Sequence, residues 1–96
     1  MDVNNKKLFD NCIEKWGRHS QILMAIEELS ELMTVLCHSL RKNKLFSKNH
    51  LTEELADVKL MLDEVQYIFH ISDVKLKLAR NLKILRVEKM LNEGGL

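Results

Sequence analysis

No proline or glycine interrupts the chain between Gly17 and Gly94. Proline removes a backbone donor and clashes with the preceding turn, and glycine costs about 1 kcal/mol in a helix interior, so their absence leaves little that could break a helix. Apolar residues recur at helical spacing through the same stretch, which points to an all-α fold.

Leu8, Cys12, Ile13 and Trp16 share one face, which predicts a first helix over residues 4–16, ended by Gly17 in a left-handed cap. Ser20 is the expected N-cap of a second helix, whose broad stripe is Ile22, Ala25, Ile26, Leu29, Leu32, Met33 and Leu36 and which runs to about Leu40. The polar run Arg41, Lys42, Asn43 and Lys44 predicts a turn. Ser47 or Asn49 caps a third helix, through Leu51, Leu55, Val58, Leu62 and Val65, that ends near Phe69. Ser72 and Asp73 open a fourth helix carrying Val74, Leu78, Leu82, Leu85 and Leu91, and the tail from Asn92 is expected to fray. The expected architecture is a single domain over residues 1–96, a hairpin-based bundle of about four helices. So short a chain exposes much of its surface, so leftover helical faces predict burial against further copies.

Two segments repeat one another. Ala25-Ile26-Glu27-Glu28-Leu29-Ser30-Glu31-Leu32 and Leu51-Thr52-Glu53-Glu54-Leu55-Ala56-Asp57-Val58 each place two acids three residues apart, on one helical face about a turn from each other. Glu28, Glu31, Glu54 and Asp57 fall at the margin of the apolar arc and are expected to be half-buried. Glu27 and Glu53 turn about 100° further toward solvent. The midpoint of the four inner acids falls in the polar turn, so an antiparallel hairpin bent there brings both pairs to one height.

Four carboxylates meeting at a core margin repel by about a few kcal/mol per close pair, and a hard divalent cation offsets that better than protonation. Mg²⁺ or Mn²⁺ is the expected ion; the bland alternative is a solvated acidic helix face. A di-iron bundle needs glutamate three residues before histidine, and the residues so placed are Trp16, Val35, Ser47 and Tyr67. None qualifies.

Charge and cysteine content narrow the classes further. The net charge of +1 argues against a general nucleic-acid binder. Its distribution is uneven: eight acids lie between Glu27 and Glu64, and six basic residues between Lys75 and Lys89, opposed there only by Glu88. That asymmetry suits a cation beside phosphates. Cys12 and Cys37 lack the spacing of a zinc knuckle or a disulfide framework, and no apolar run is long enough for a membrane span. A cytoplasmic protein with reduced thiols and no membrane partner is the expectation.

The arrangement of ExxE, 22 intervening residues and ExxD, set in AIEELSEL and TEELADV, resembles the MazG-like branch of the all-α nucleoside triphosphate pyrophosphohydrolases. Trp16-Gly17 and Gln21 are similar to residues preceding the first acidic motif there, and Lys77 to Asn81 resembles a basic segment after the second. The resemblance implies hydrolysis between the α and β phosphates of a nucleoside triphosphate, giving the monophosphate and pyrophosphate. It also implies a helical dimer, sometimes paired into a tetramer, with Glu28, Glu31, Glu54 and Asp57 as metal ligands. The chain departs from the pattern after Asn81, where Leu82-Lys83-Ile84-Leu85 lacks the expected basic residue three positions on; Arg86 is the substitute.

On this reading Glu28, Glu31, Glu54 and Asp57 form the catalytic site. Mg²⁺ lowers the pKa of a bound water and offsets charge on the leaving pyrophosphate, while one inner acid, not identified by sequence, accepts the water's proton. Lys77, Arg80 and Asn81 lie within about one turn and offer phosphate contacts, or a solvated basic face. Trp16 and Gln21 offer a ring and an amide to a nucleobase, or packing and surface decoration. His38 and His50 lie on the carboxylate stripes, although a hard-cation site does not call for imidazole. Two rivals stand beside this: a non-enzymatic helical interaction module, and a phosphoribosyl-ATP pyrophosphohydrolase on the same fold.

Overall fold

A computed structural model describes residues 3–41 and 46–93, with Val3 and Asn4 described in backbone only. It is all-helical: α1 (Val3–Trp16), α2 (Arg18–Leu40), α3 (Lys48–Ile68) and α4 (Asp73–Asn92), with no strand among the described residues. No helix is long and apolar enough to cross a membrane among the described residues.

Gly17 makes the first corner alone. Its N–H donates to the Ile13 carbonyl at 2.8 Å, closing α1, and its own carbonyl accepts from Gln21 N at 3.2 Å, opening α2. Its φ of 89° and ψ of 151° differ from the left-handed cap expected, and lie in a region open essentially to glycine alone. The expectation of Ser20 as N-cap is corrected by the same geometry. Gly17 itself holds the capping position, with no side-chain cap, so α2 begins at Arg18 and Ser20 falls inside its first turn.

The α2–α3 hairpin is the main packing unit, and α1 lies against both helices. Its antiparallel register is fixed by the buried contact between Gln21, early in α2, and Glu64, late in α3. The apolar core is small: Phe9, Ala25, Val35, Val58 and Ile68. Phe9 meets the Tyr67 ring with centroids 6.0 Å apart, and the Tyr67 hydroxyl donates to Asp10, tying α1 to α3. Arg41 closes α2 by donating to the Cys37 carbonyl at 3.2 Å; Lys42, Asn43 and Lys44 of the expected turn lie outside the described residues. Ser47 is the α3 cap, its hydroxyl oxygen accepting from His50 N at 3.3 Å, and Asn49 is the second residue of the helix.

The α3–α4 joint is built from local hydrogen bonds. His70 adopts φ 55°, and the pair His70 N to Tyr67 O and Ile71 N to Gln66 O closes α3 in a Schellman motif. Gln66, buried, donates through Nε2 to Ile71 O at 3.0 Å and to Asp73 Oδ1 at 2.6 Å. The Asp73 carboxyl is held below its ordinary range, first by that Gln66 bond. Ser72 then caps α4, accepting from Lys75 N at 3.1 Å. The helix it launches packs on none of α1–α3 and has no buried residue. Asn92 is helical, and residues 94–96 of the expected frayed tail lie outside the described part.

Candidate metal centre

α2 and α3 bring three of the four inner acids together. One carboxylate oxygen each from Glu28, Glu54 and Asp57 lie within 4.8 Å of one another. Glu31 falls outside this group of three; its side chain hydrogen-bonds Glu28, and it also lines the neighbouring cavity. The expected half-burial of all four is corrected. Glu54 is buried, Glu28 intermediate, and Glu31 and Asp57 exposed, because a two-helix hairpin covers each apolar stripe from one side and leaves its margin open. Glu27 and Glu53 are exposed, as their wheel positions require.

Two oxygens at this site, Glu28 Oε2 and Glu54 Oε2, are buried without a hydrogen-bond partner. A buried, unsatisfied carboxylate oxygen is costly, and no lysine or arginine ion-pairs with these acids among the described residues. The cost shows in the Glu28 carboxyl, pushed above the usual range by burial, then by the charges of Glu31, Asp57 and Glu54. The basic neighbour among the described residues is His50, whose Nε2 lies 3.5 Å from Glu54 Oε1. All the donors are carboxylate oxygens, a set that suits a hard divalent cation.

The remaining candidates are dispersed. Gln21 is 3 % exposed, and its Nε2 donates to both oxygens of Glu64, at 2.9 and 2.8 Å, so it has no amide free for a nucleobase. Trp16 is exposed, with Lys15 Nζ 5.1 Å from its ring. It ends α1 before the Gly17 corner, and α2 then rises about 15 Å over the ten residues from Arg18 to Glu28. Lys77, Arg80 and Asn81 stand on α4, which meets α3 at its first residue, Asp73, and packs along none of α1–α3, so within one chain they do not reach the carboxylates.

Glu64 escaped the reading of the sequence. It is 2 % exposed and its carboxyl is raised by burial. The available signal was spacing: Gln21 lies seven residues before Glu28 and Glu64 seven after Asp57, so the register that joins one pair joins the other. Comparison with family models, curated proteins and solved structures finds no match to this chain.

Proposed function

We propose that this chain is a Mg²⁺-dependent nucleoside triphosphate pyrophosphohydrolase, as its resemblance to the MazG-like family implies. The observation that carries the reading is the convergence of Glu28, Glu54 and Asp57 with two buried, unpartnered carboxylate oxygens, a donor set that fits Mg²⁺. When bound, the ion would supply positive charge for the phosphates and acidify a water. The residues of the chain divide the remaining work. Glu28, Glu54 and Asp57 would hold the ion; Glu31, next to the group but not part of it, would accept the proton of the attacking water at a carboxylate oxygen.

The reading includes a homo-oligomer. The exposed area of 7994 Å² exceeds the roughly 5,700 Å² of a compact monomer of this mass. Ile26, Leu29, Met33, Leu36 and Leu40 form an exposed seam on α2 at alternating three- and four-residue steps, the spacing that pairs helices. In such an assembly α4 of one copy carries Lys77, Arg80 and Asn81 to phosphates held by another.

The test is pyrophosphate release from a panel of common and damaged deoxynucleoside triphosphates with Mg²⁺. Turnover is expected in the wild type and is abolished in Glu28→Gln and Asp57→Asn, with helicity intact by circular dichroism. Undiminished release from either variant would overturn the assignment.

A further inference from the structure

The α2–α3 hairpin is layered along its length. Near Gly17 the Gln21 amide closes on the Glu64 carboxylate, and both residues are almost fully sealed from water. The tier of Glu28, Asp57 and Glu54 comes next. Beyond it, toward the hairpin tip, lies a cavity of about 350 Å³ lined by Glu31, Thr34, Val35, His38, His50 and Glu54. Glu54 belongs to both the carboxylate tier and the cavity wall. A substrate with phosphates at the carboxylate tier therefore has a closed layer on one side and an open cavity on the other.

The wall chemistry selects which part of the substrate enters. Among the described residues no lysine or arginine lines the cavity, and the carboxylates of Glu31 and Glu54 repel anions, so these walls disfavour a phosphate tail. The rest of the lining is the buried Val35, Thr34, and two flat imidazoles, His38 from α2 and His50 from α3. The Thr34 hydroxyl already donates to the Ser30 carbonyl at 3.2 Å, which leaves its methyl group and an acceptor lone pair to offer a ligand. Rings contributed by two helices over an apolar floor match a flat, uncharged heteroaromatic ring, and the volume is at the small end of ligand sites.

We propose that this cavity is the nucleobase subsite, with the base held against His38 and His50; the proposal rests on the pyrophosphohydrolase reading. It replaces Trp16 and Gln21 in that role. Gln21 is sealed against Glu64 on the opposite side of the carboxylate tier, and Trp16 belongs to that same far end.

The test compares ligands with and without a base on the full chain with Mg²⁺: KM for nucleoside triphosphates, and Ki for inorganic tripolyphosphate as a competitive inhibitor. His38→Ala is expected to raise KM about tenfold, the loss of one stacking contact, and to leave the tripolyphosphate Ki unchanged. His38→Phe, which keeps a flat ring, restores most of the KM. Thr34→Trp, at an exposed position on the cavity wall, fills the space and gives the same selective loss without touching the core. An unchanged KM in both His38→Ala and Thr34→Trp overturns the subsite, as does an equal loss of nucleotide and tripolyphosphate affinity. Failure of the wild type to release pyrophosphate from any nucleotide would instead overturn the enzymatic reading beneath it.

Discussion

Replacing Glu54 with glutamine is expected to stabilise the metal-free protein and to abolish its response to Mg²⁺. Three carboxylate oxygens within 4.8 Å of one another form three repelling pairs, and Glu54 takes part in two. At the full 4.8 Å each ionised pair costs about 3.5 kcal/mol at an effective dielectric of 20 and about 0.9 kcal/mol in bulk water. Asp57 is exposed, so water screens its charge and the lower end applies. Removing two pairs then yields about 2 kcal/mol, or a rise in Tm on the order of 10 °C for a domain of this size. The assay is thermal unfolding at about pH 8, with chelator and then with saturating Mg²⁺. With the ion at a hundredfold its Kd the wild type gains about 2.7 kcal/mol and the variant little, so the order of the two melting points inverts. A variant that melts below the wild type in chelator, or a wild type indifferent to Mg²⁺, would refute the reasoning.

Glu64 sets a pH dependence. Its carboxyl is raised from 4.5 by burial, so the folded protein binds that proton more tightly than the unfolded chain, and the stability it contributes is lost as pH rises through the raised value. Glu64→Gln should flatten the decline of urea-derived stability above about pH 4.5, leaving a residual slope from Glu28; an unaltered slope would count against the burial argument. Gly17→Ala forces a side chain into φ 89°, ψ 151° and should cost about 1–3 kcal/mol. The added Cβ meets nothing within 4 Å, so the loss is backbone strain alone, and an unchanged urea midpoint would contradict it. Lys77→Ala combined with Arg80→Ala should raise KM and spare the Mg²⁺-induced stabilisation. Sedimentation of the wild type should give a multiple of 11.3 kDa, and a monomer with full activity would exclude α4 as a donor between copies.

All four helices were legible, because their apolar periodicity and the Ser47 and Ser72 caps are local properties. Ser20 misled because glycine needs no side chain to occupy a capping position; the backbone geometry at Gly17 decides, and it does not show in a residue pattern. The carboxylate tier was legible down to its register, since two motifs placed evenly about one turn must meet in a hairpin. The exclusion of Glu31 was not, because it depends on where a flexible side chain turns at an open margin. Glu64 and Gln21 were hidden for a related reason: polar residues read as exterior until a partner across the interface is known. The isolation of α4 lay furthest from view, as a periodic stripe says that a face is apolar and nothing about which helix covers it.

The joint between α3 and α4 bears on the homo-oligomer proposed for this chain. Gln66, His70 and Ser72 aim α4 through hydrogen bonds made within one chain, before any neighbour is met. An arm already pointed surrenders little orientational freedom on docking, so more of the contact energy is retained as affinity. If copies associate as proposed, loosening that hinge, with no change to a single contacting side chain, would raise the concentration at which they come together.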